Sequence, residues 1–288
     1  MKFDSCHPAI NFIFFVAAIA MTIAFNHPVF LAISYISAFA YSVKLNGKRA
    51  VIFNLCLVVF IAVWTWLFST FNHFGVTDIG KTVAGNHMTL EALVYGFVVG
   101  VIVATVIMWF SCVFAVISSD KVIYLFRRVS PKLSLFISML LRMIPRIKTQ
   151  YRKIDAAQQC IGRGSGQGGI ARRLRQWASR VSITVTWLND SQIETSDSMR
   201  SRGYTLKGRT AFSIYRFDNR DRSLVIFMFL CLSLMLMAIL LDQTYIIYSP
   251  QIILNHITAV SVIFYIAYAA FCNLPLAMEV WASVRFGK

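Results

Sequence analysis

Residues 91–117 read EALVYGFVVGVIVATVIMWFSCVFAVI, and the single charged side chain in this stretch is Glu91 at its first position. At a rise of 1.5 Å per residue, an α-helix of this length extends about 40 Å, which is enough to cross a hydrocarbon core of roughly 30 Å. The strands of a membrane β-barrel instead alternate apolar and polar residues over about ten positions. The stretch therefore predicts a transmembrane α-helix.

Five further apolar segments lie on either side of this helix, and none has a charged residue past its first position. The whole chain of 288 residues is 58% apolar and 14% charged, whereas soluble domains are about 45–50% apolar and about 25% charged. We therefore predict an all-α polytopic membrane protein with about six transmembrane helices. The predicted spans are 9–25, 28–43, 50–71, 91–117, 224–241 and 251–272.

The charge is concentrated between the fourth and fifth predicted spans. Residues 121–222 contain 21 Lys and Arg against 6 Asp and Glu, so this block carries +15 of the formal net charge of +16. Positively charged connections remain on the cytoplasmic side of a membrane, and Lys44, Lys48 and Arg49 mark a second such connection. We expect both connections and both termini to be cytoplasmic. The predicted domains are 1–117 with helices 1–4, 118–222 as a basic cytoplasmic domain, and 223–288 with helices 5–6.

The basic block begins a long amphipathic helix at Ser130-Pro131, an N-cap followed by proline at the first helical position. Apolar residues then recur at steps of three and four up to Ile154, which predicts one apolar stripe. Pro145 interrupts the helix and is expected to kink it, because proline removes a backbone donor and crowds the preceding turn. The helix is predicted to stop in the glycine-rich run 162–169.

A second amphipathic helix is predicted over about 170–202, with arginines beside its apolar positions and an end at Gly203. The two helices are predicted to end alike, in Gly162-Arg163-Gly164 and Ser201-Arg202-Gly203, each with an arginine in the last turn. One explanation is local, since a cation at a helix C-terminus gains about 0.3–1 kcal/mol from the helix dipole. The other is that the paired guanidinium groups dock on carboxylates of another protein.

Several of these runs resemble a known family. Residues 140–145 (LLRMIP) and 155–164 (DAAQQCIGRG) are similar to the first coupling helix of the transmembrane T component of energy-coupling factor (ECF) importers. Residues 197–204 (DSMRSRGY) are similar to the second. His7-Pro8 and Ser119-Asp120 also resemble that family, so the resemblance extends over most of the chain and is weakest in the last two spans.

The resemblance implies a role and a set of partners. In that family, an arginine at the end of each coupling helix docks on one of two cytoplasmic ATPase subunits, which implies Arg163 and Arg202 as the anchors. Gly162 and Ser201 stand where alanine is usual, and Gly164 and Gly203 follow the arginines. The resemblance further implies a separate substrate-binding S component, a prokaryotic cytoplasmic membrane, and vitamin or metal-ion uptake, with cobalt as one such ion. ATP and Mg²⁺ would be bound by the partner ATPases, with no cofactor in this chain.

The apolar stripes of the two helices are then expected to pack against the S component. The residues predicted for this contact are Leu133, Phe136, Ile137, Leu140, Leu141 and Ile144 on the first helix and Leu174, Trp177 and Val181 on the second.

Other functions fit the sequence less well. An intramembrane enzyme or proton-coupled carrier needs ionisable groups at depth, and the predicted spans offer none there, since Glu91 is at an entry, Asp242 is just past an exit, and the histidines are at or near span ends. The five histidines form no metal-binding motif, and two glycine-rich runs that match phosphate-binding patterns by letter do not follow a predicted strand. Anionic lipid of the bilayer explains the basic block better than nucleic acid. A pathway-forming ABC permease and a membrane-anchored adaptor without a transport role remain as alternatives.

Overall fold

The computed structural model describes residues 3–72, 74–81, 87–162, 169–204, 206, 215, 217–244, 246, 248 and 258–286. The chain divides into two compact units, one made of Met1–Ser118 with Tyr215–Lys288 and the other of Ser119–Ile214. We call the first the membrane unit and the second the basic unit.

Over the residues described, the membrane unit contains six apolar α-helices. Five are long and apolar enough to cross a membrane, and the first, with 17 residues, is shorter. The prediction of an all-α polytopic membrane protein is thus confirmed. These helices are α1 (Pro8–Ala24), α2 (Pro28–Asn46), α3 (Lys48–Phe71), α4 (Leu90–Val116), α8 (Asn219–Leu240) and α9 (Ala259–Phe286).

The last helix differs from its prediction. The predicted span was 251–272, whereas α9 begins at Ala259 and continues to Phe286; residues 251–257 lie outside the described residues. The helix passes through Glu279, which is 8% exposed. The expectation that no span holds an ionisable residue is therefore wrong for α9. The prediction stopped before the polar Asn273 and the nearby Pro275, but the helix continues through both, and Asn273 Nδ2 donates to the Ala269 carbonyl within it.

The core of the membrane unit is aromatic. The ring of Phe14 in α1 packs 5.9 Å from that of Trp109 in α4 and 5.0 Å from that of Phe271 in α9. Trp109 Nε1 donates to Ser34 Oγ of α2 at 3.2 Å, and Ser34 Oγ shares a 2.8 Å hydrogen bond with Thr22 Oγ1 of α1. Close packing and such interhelical hydrogen bonds are what associate helices in lipid, where no hydrophobic force acts between them.

A stripe of small residues on α4 packs within this unit. A Cβ placed on Gly96 would lie 3.0 Å from the Phe68 ring of α3, and one on Gly100 would lie 3.3 Å from Trp64. Ala104, one turn further along, is completely buried. The stripe therefore brings α4 close to α3.

Two His-Pro pairs begin the first two helices. His7 Nδ1 accepts from the Ala9 amide, and His27 Nδ1 accepts from the Val29 amide, both at 3.3 Å. In each pair the proline occupies the start of the helix, where it needs no hydrogen-bond partner. The sequence assigned these histidines no specific contact, and the structure makes them N-caps.

The connection between α3 and α4 contains a two-stranded antiparallel hairpin. Its strands are β1 (Asp78–Lys81) and β2 (His87–Thr89). Thr89 Oγ1 donates to the Phe74 carbonyl at 2.7 Å, and Glu91 accepts from Thr77. Strands of three and four residues are too short to show an alternating pattern, which explains why the sequence did not predict them.

The basic unit consists of α5 (Ser119–Val129), α6 (Pro131–Cys160) and α7 (Ile170–Ser201) over the residues described there. The two long helices predicted in this block are confirmed as α6 and α7. Ser134 Oγ of α6 donates to the Ile123 carbonyl of α5 at 3.1 Å, which fastens the short helix to the first long one.

Candidate functional site

Helices α6 and α7 run antiparallel. The guanidinium of Arg146 in α6 lies 5.4 Å from the centre of the Trp187 ring in α7. Further along α6, Asp155 forms an ion pair with Arg180, which lies earlier in α7. Because increasing numbers in α6 meet decreasing numbers in α7, the last residue of α6 and the last residue of α7 lie at opposite ends of the pair.

The side chains that α7 buries are polar. The buried residues of α7 are Arg180, Thr184 and Ser191. Thr184 Oγ1 donates to the Arg180 carbonyl at 2.8 Å, so its own hydroxyl is satisfied within the helix. A soluble helix pair ordinarily buries its apolar stripe, and in α7 the polar face is the buried one.

The predicted apolar stripe instead points outward. On α6, Leu133, Phe136, Leu140 and Ile144 are 40–61% exposed, and on α7, Leu174 and Trp177 are 64% and 53% exposed. Exposed apolar side chains that share one helix face are typical of an interaction surface. The remaining predicted packing residues, Ile137, Leu141 and Val181, are half-buried.

A groove of about 590 Å³ separates the first half of α6 from the last part of α7. Its α6 wall carries Arg142 and Met143, and its α7 wall carries Met199 and Arg202, with Tyr204 at the end. The structure thus places Arg202, predicted as an anchor, at the open end of the helix pair, and its side chain is exposed.

The end of α7 is fixed by a Schellman motif. Arg202 is the cap residue, and Gly203 follows with φ +75°. The Tyr204 amide donates to the Met199 carbonyl at 3.2 Å, and the Gly203 amide donates to the Arg200 carbonyl at 3.0 Å. These are the two hydrogen bonds of the motif. Together they satisfy two of the last carbonyls and hold the arginine at the terminus.

The end of α6 is different, which corrects the expectation that the two helices end alike. The last helical residue is Cys160, Ile161 is the cap, and Gly162 takes the positive φ of +76°. Arg163 comes after this glycine, whereas Arg202 comes before the equivalent glycine, so α6 has no basic residue in its last turn. Glycine tolerates positive φ without steric cost, so the first glycine of the run ends the helix. Arg163 and Gly164 themselves lie outside the described residues.

Pro145 lies inside α6, and the helix continues through it. Thr149 Oγ1, one turn later, donates to the Pro145 carbonyl at 3.0 Å. The kink expected at this residue stays a prediction.

The sequence missed the contact that joins the two helices. Arg180 was one of several basic residues beside the apolar stripe, and Asp155 is 25 positions away along the chain. No helical spacing relates the two residues. Only the antiparallel packing of α6 and α7 brings them together.

In the part of the chain that the structure describes, no group of three or more His, Cys, Asp or Glu is placed to hold a metal ion. The two glycine-rich runs that match phosphate-binding patterns by letter fall mostly on residues 164–168 and 207–210, outside the described residues.

The family model described as CbiQ, cobalt transport protein, matches residues 6–212. This match includes α1–α7 and therefore both long helices of the basic unit. No curated protein matches the chain.

Proposed function

Since the chain belongs to the CbiQ cobalt transport protein family, the T components of ECF transporters, we propose that it transmits the motion of two ATPase subunits to a separate substrate-binding membrane subunit. It is a multi-pass membrane protein and a component of a transport system. The observation that carries the proposal is the helix pair α6 and α7, which keeps its polar face inside and exposes its apolar stripe.

The arginine ends of the pair are proposed to dock on the ATPases. Arg202 is supported by its exposed position on a capped helix end, with Ser201 and Gly203 leaving room for close approach. Arg163, between Gly162 and Gly164, is proposed as the second anchor. A guanidinium presents a planar fork that binds a carboxylate with two hydrogen bonds. ATP and Mg²⁺ are bound by the partner subunits in this proposal.

Two anchors on an antiparallel pair are far apart. Helix α6 has 30 residues, which corresponds to about 45 Å, and its last residue lies at the opposite end of the pair from the last residue of α7. One helix end is therefore available to each of two ATPase subunits. The closing and opening of the ATPases then move the two ends relative to each other.

The exposed stripe is proposed as the surface that receives the substrate-binding subunit. Leu133, Phe136, Leu140 and Ile144 follow one face of α6 at steps of three and four residues. A movement of the helix ends shifts this face and with it the bound subunit, which releases its cargo inward. The cargo is a metal ion such as cobalt or another micronutrient. Pro145 is proposed to set the bend of α6 within this stripe.

The orientation that this function requires places the basic unit and both termini in the cytoplasm of a prokaryotic cell. Lys44 in the last turn of α2 and Lys48 at the start of α3 support this orientation, since basic connections remain inside.

The rival function is a permease that forms its own pathway through the membrane. Glu279 is the observation in its favour, because a buried carboxylate in a span is a candidate for cargo binding. It lies seven residues before the end of α9 rather than at the middle of that helix. This position favours the coupling function.

The test is co-purification of the ATPases with the full-length chain in nanodiscs. Arg202→Glu and Arg163→Glu are each expected to weaken ATPase retention, and the double variant is expected to abolish it. Arg175→Glu, on the exposed surface of α7, is the matched control and should retain the ATPases. If the double variant is folded and retains the ATPases as well as the wild-type chain does, the docking proposal is overturned.

A further inference from the structure

We propose that the ion pair of Asp155 and Arg180 is the pivot on which α6 and α7 move against each other. Both are positioning residues, which transmit displacement and touch neither cargo nor nucleotide. This inference rests on the proposed coupling function and adds the point about which the two helices turn.

Both members of the pair are held in place by additional hydrogen bonds. The side chain of Arg180 is 5% exposed and that of Asp155 is 28% exposed. Arg180 Nε donates to the Gln176 carbonyl at 3.2 Å, and Gln159 Nε2 donates to the second carboxylate oxygen of Asp155 at 3.0 Å. The guanidinium and the carboxylate are thereby oriented before the helices meet.

An ion pair of this kind fixes one point of the interface. A buried guanidinium that loses its carboxylate is left as an unpaired charge, which is strongly unfavourable. Apolar contacts are not directional, so they permit one helix to slide along the other. Any relative motion of α6 and α7 that keeps Asp155 against Arg180 is therefore favoured over one that separates them.

The half of the helix pair that contains the groove is able to change its shape. The groove there is lined on its α6 wall by Leu135, Met139 and Met143 and on its α7 wall by Met199. Methionine has three rotatable bonds and fills a space of changing shape without loss of contact. Ser138 and Ser198, also in the groove walls, add no bulk. The groove can widen or narrow while the ion pair stays intact.

A third contact, between Arg146 and Trp187, lies between the ion pair and the groove. It also tolerates a rotation of the two helices. Arg146 lies over the Trp187 ring at 5.4 Å from its centre. A cation over an aromatic face keeps most of its attraction when it shifts across that face. The interface thus has one fixed contact, one adaptable contact and one open groove, in that order along the pair.

In this arrangement, a displacement of Arg202 changes the width of the groove. Arg202 lies about six helical turns beyond Arg180, which corresponds to about 33 Å of helix. A small rotation at the ion pair therefore moves the anchored end of α7 much further than the helix moves at the pivot. The exposed stripe of α6 lies along this moving half of the pair.

The experiment measures distances between spin labels in the complex with the ATPases, with the six native cysteines replaced by alanine. One label pair reports the groove (Ser138→Cys with Ser198→Cys) and the other reports the pivot (Lys153→Cys with Ser182→Cys). In the wild-type background, a nonhydrolysable ATP analogue is expected to shift the groove distance by roughly 2 Å or more and to leave the pivot distance unchanged.

The variants are Arg180→Ala, Asp155→Ala and the exchange Asp155→Arg with Arg180→Asp. Each alanine variant is expected to broaden the pivot distance and to abolish the nucleotide-dependent groove shift, and the exchange is expected to restore both. Arg180→Gln, which removes the charge and keeps much of the side-chain length, replaces an alanine variant that does not fold and is expected to give the same loss. Arg175→Ala is the control on the same helix.

The outcomes separate the two proposals. If the ATPases do not bind the wild-type chain, the coupling function fails, and the pivot fails with it. If the ATPases bind and the pivot distance changes with nucleotide as much as the groove distance, the pivot alone is overturned. The pivot is also overturned if both alanine variants bind the ATPases and show the same nucleotide-dependent change in the groove distance as the wild-type chain.

Discussion

The membrane unit and the helix pair of the basic unit distribute their side chains in opposite ways. In the membrane unit, large rings such as Trp109, Phe14 and Phe271 are completely buried, and the glycines of α4 bring its backbone close to α3. In the helix pair, the buried side chains of α7 are Arg180, Thr184 and Ser191, and large apolar side chains such as Phe136, Ile144 and Leu174 are exposed. The membrane unit packs its large rings inside itself, and the helix pair leaves part of its apolar stripe exposed.

This difference shows why the same residue type has different consequences in the two regions. An apolar side chain in the membrane unit core contributes to the stability of the chain. An exposed apolar side chain on α6 or α7 contributes little to the stability of the chain, because it is in contact with solvent. It can instead contribute to an assembly. Matched substitutions in the two regions test the comparison directly.

The largest expected effect comes from the two tryptophans. Trp109→Ala removes a completely buried ring and is expected to destabilise the chain by about 3–5 kcal/mol. Trp177→Ala removes a ring that is 53% exposed and is expected to change stability by no more than about 0.5 kcal/mol. Thermal unfolding in nanodiscs measures both. Equal losses from the two variants would contradict the comparison.

The next effect concerns two glycines. Gly96→Val places a side chain against the Phe68 ring and is expected to cost about 1–3 kcal/mol through overpacking. Gly169, the N-cap of α7, has no atom within 4 Å of the position that a Cβ would occupy, and serine is a favoured N-cap. Gly169→Ser is therefore expected to be neutral or slightly stabilising. Denaturant titration measures the free energy of unfolding of both variants. A loss of stability in Gly169→Ser would mean that a side chain at this position meets other atoms.

A smaller effect is expected at the helix ends. Gly162 and Gly203 have φ values of +76° and +75°, a region where alanine costs about 1–2 kcal/mol. Gly203→Ala and Gly162→Ala are expected to fray the last turn of α7 and α6, respectively. Hydrogen exchange of the amides in those turns reports the fraying. Unchanged exchange in Gly203→Ala would mean that the Schellman motif does not hold this helix end.

The smallest effect is a pH dependence at His27, which is outside the membrane-spanning helices. Burial lowers the pKa of His27 below its ordinary value of 6.5, so the unfolded chain binds the proton more readily. The contribution of this residue to stability is then fully present above the ordinary pKa and falls as the pH decreases through that value. His27→Asn keeps an N-cap and does not titrate. Unfolding measured from about pH 7.5 to about pH 5.5 is expected to show a shallower acid dependence in this variant, and an identical dependence would assign the slope to other groups.

The fold was largely predictable because it follows from runs of apolar residues, but the site was only partly so. The spans were found from unbroken apolar runs, and both long helices and the apolar stripe from Leu133 to Ile144 were found from periodicity. Periodicity did not show that the stripe faces outward or that Asp155 meets Arg180, because both depend on how two helices pack. The end of α6 was misplaced because several glycines lie close together near Arg163, and sequence alone does not tell which one takes the positive φ.

The most direct test of the outward-facing helix pair is maleimide labelling of single cysteines in membrane vesicles. Phe136→Cys and Ile144→Cys lie on the exposed stripe, and Thr149→Cys, exposed on the same helix but turned away from the stripe, is the control. Co-expression of the ATPases and the substrate-binding subunit is expected to protect the two stripe positions about tenfold or more and to leave the control unchanged. Equal labelling of the stripe with and without those subunits would contradict the account, because the apolar surface of α6 would then have no partner in the transporter.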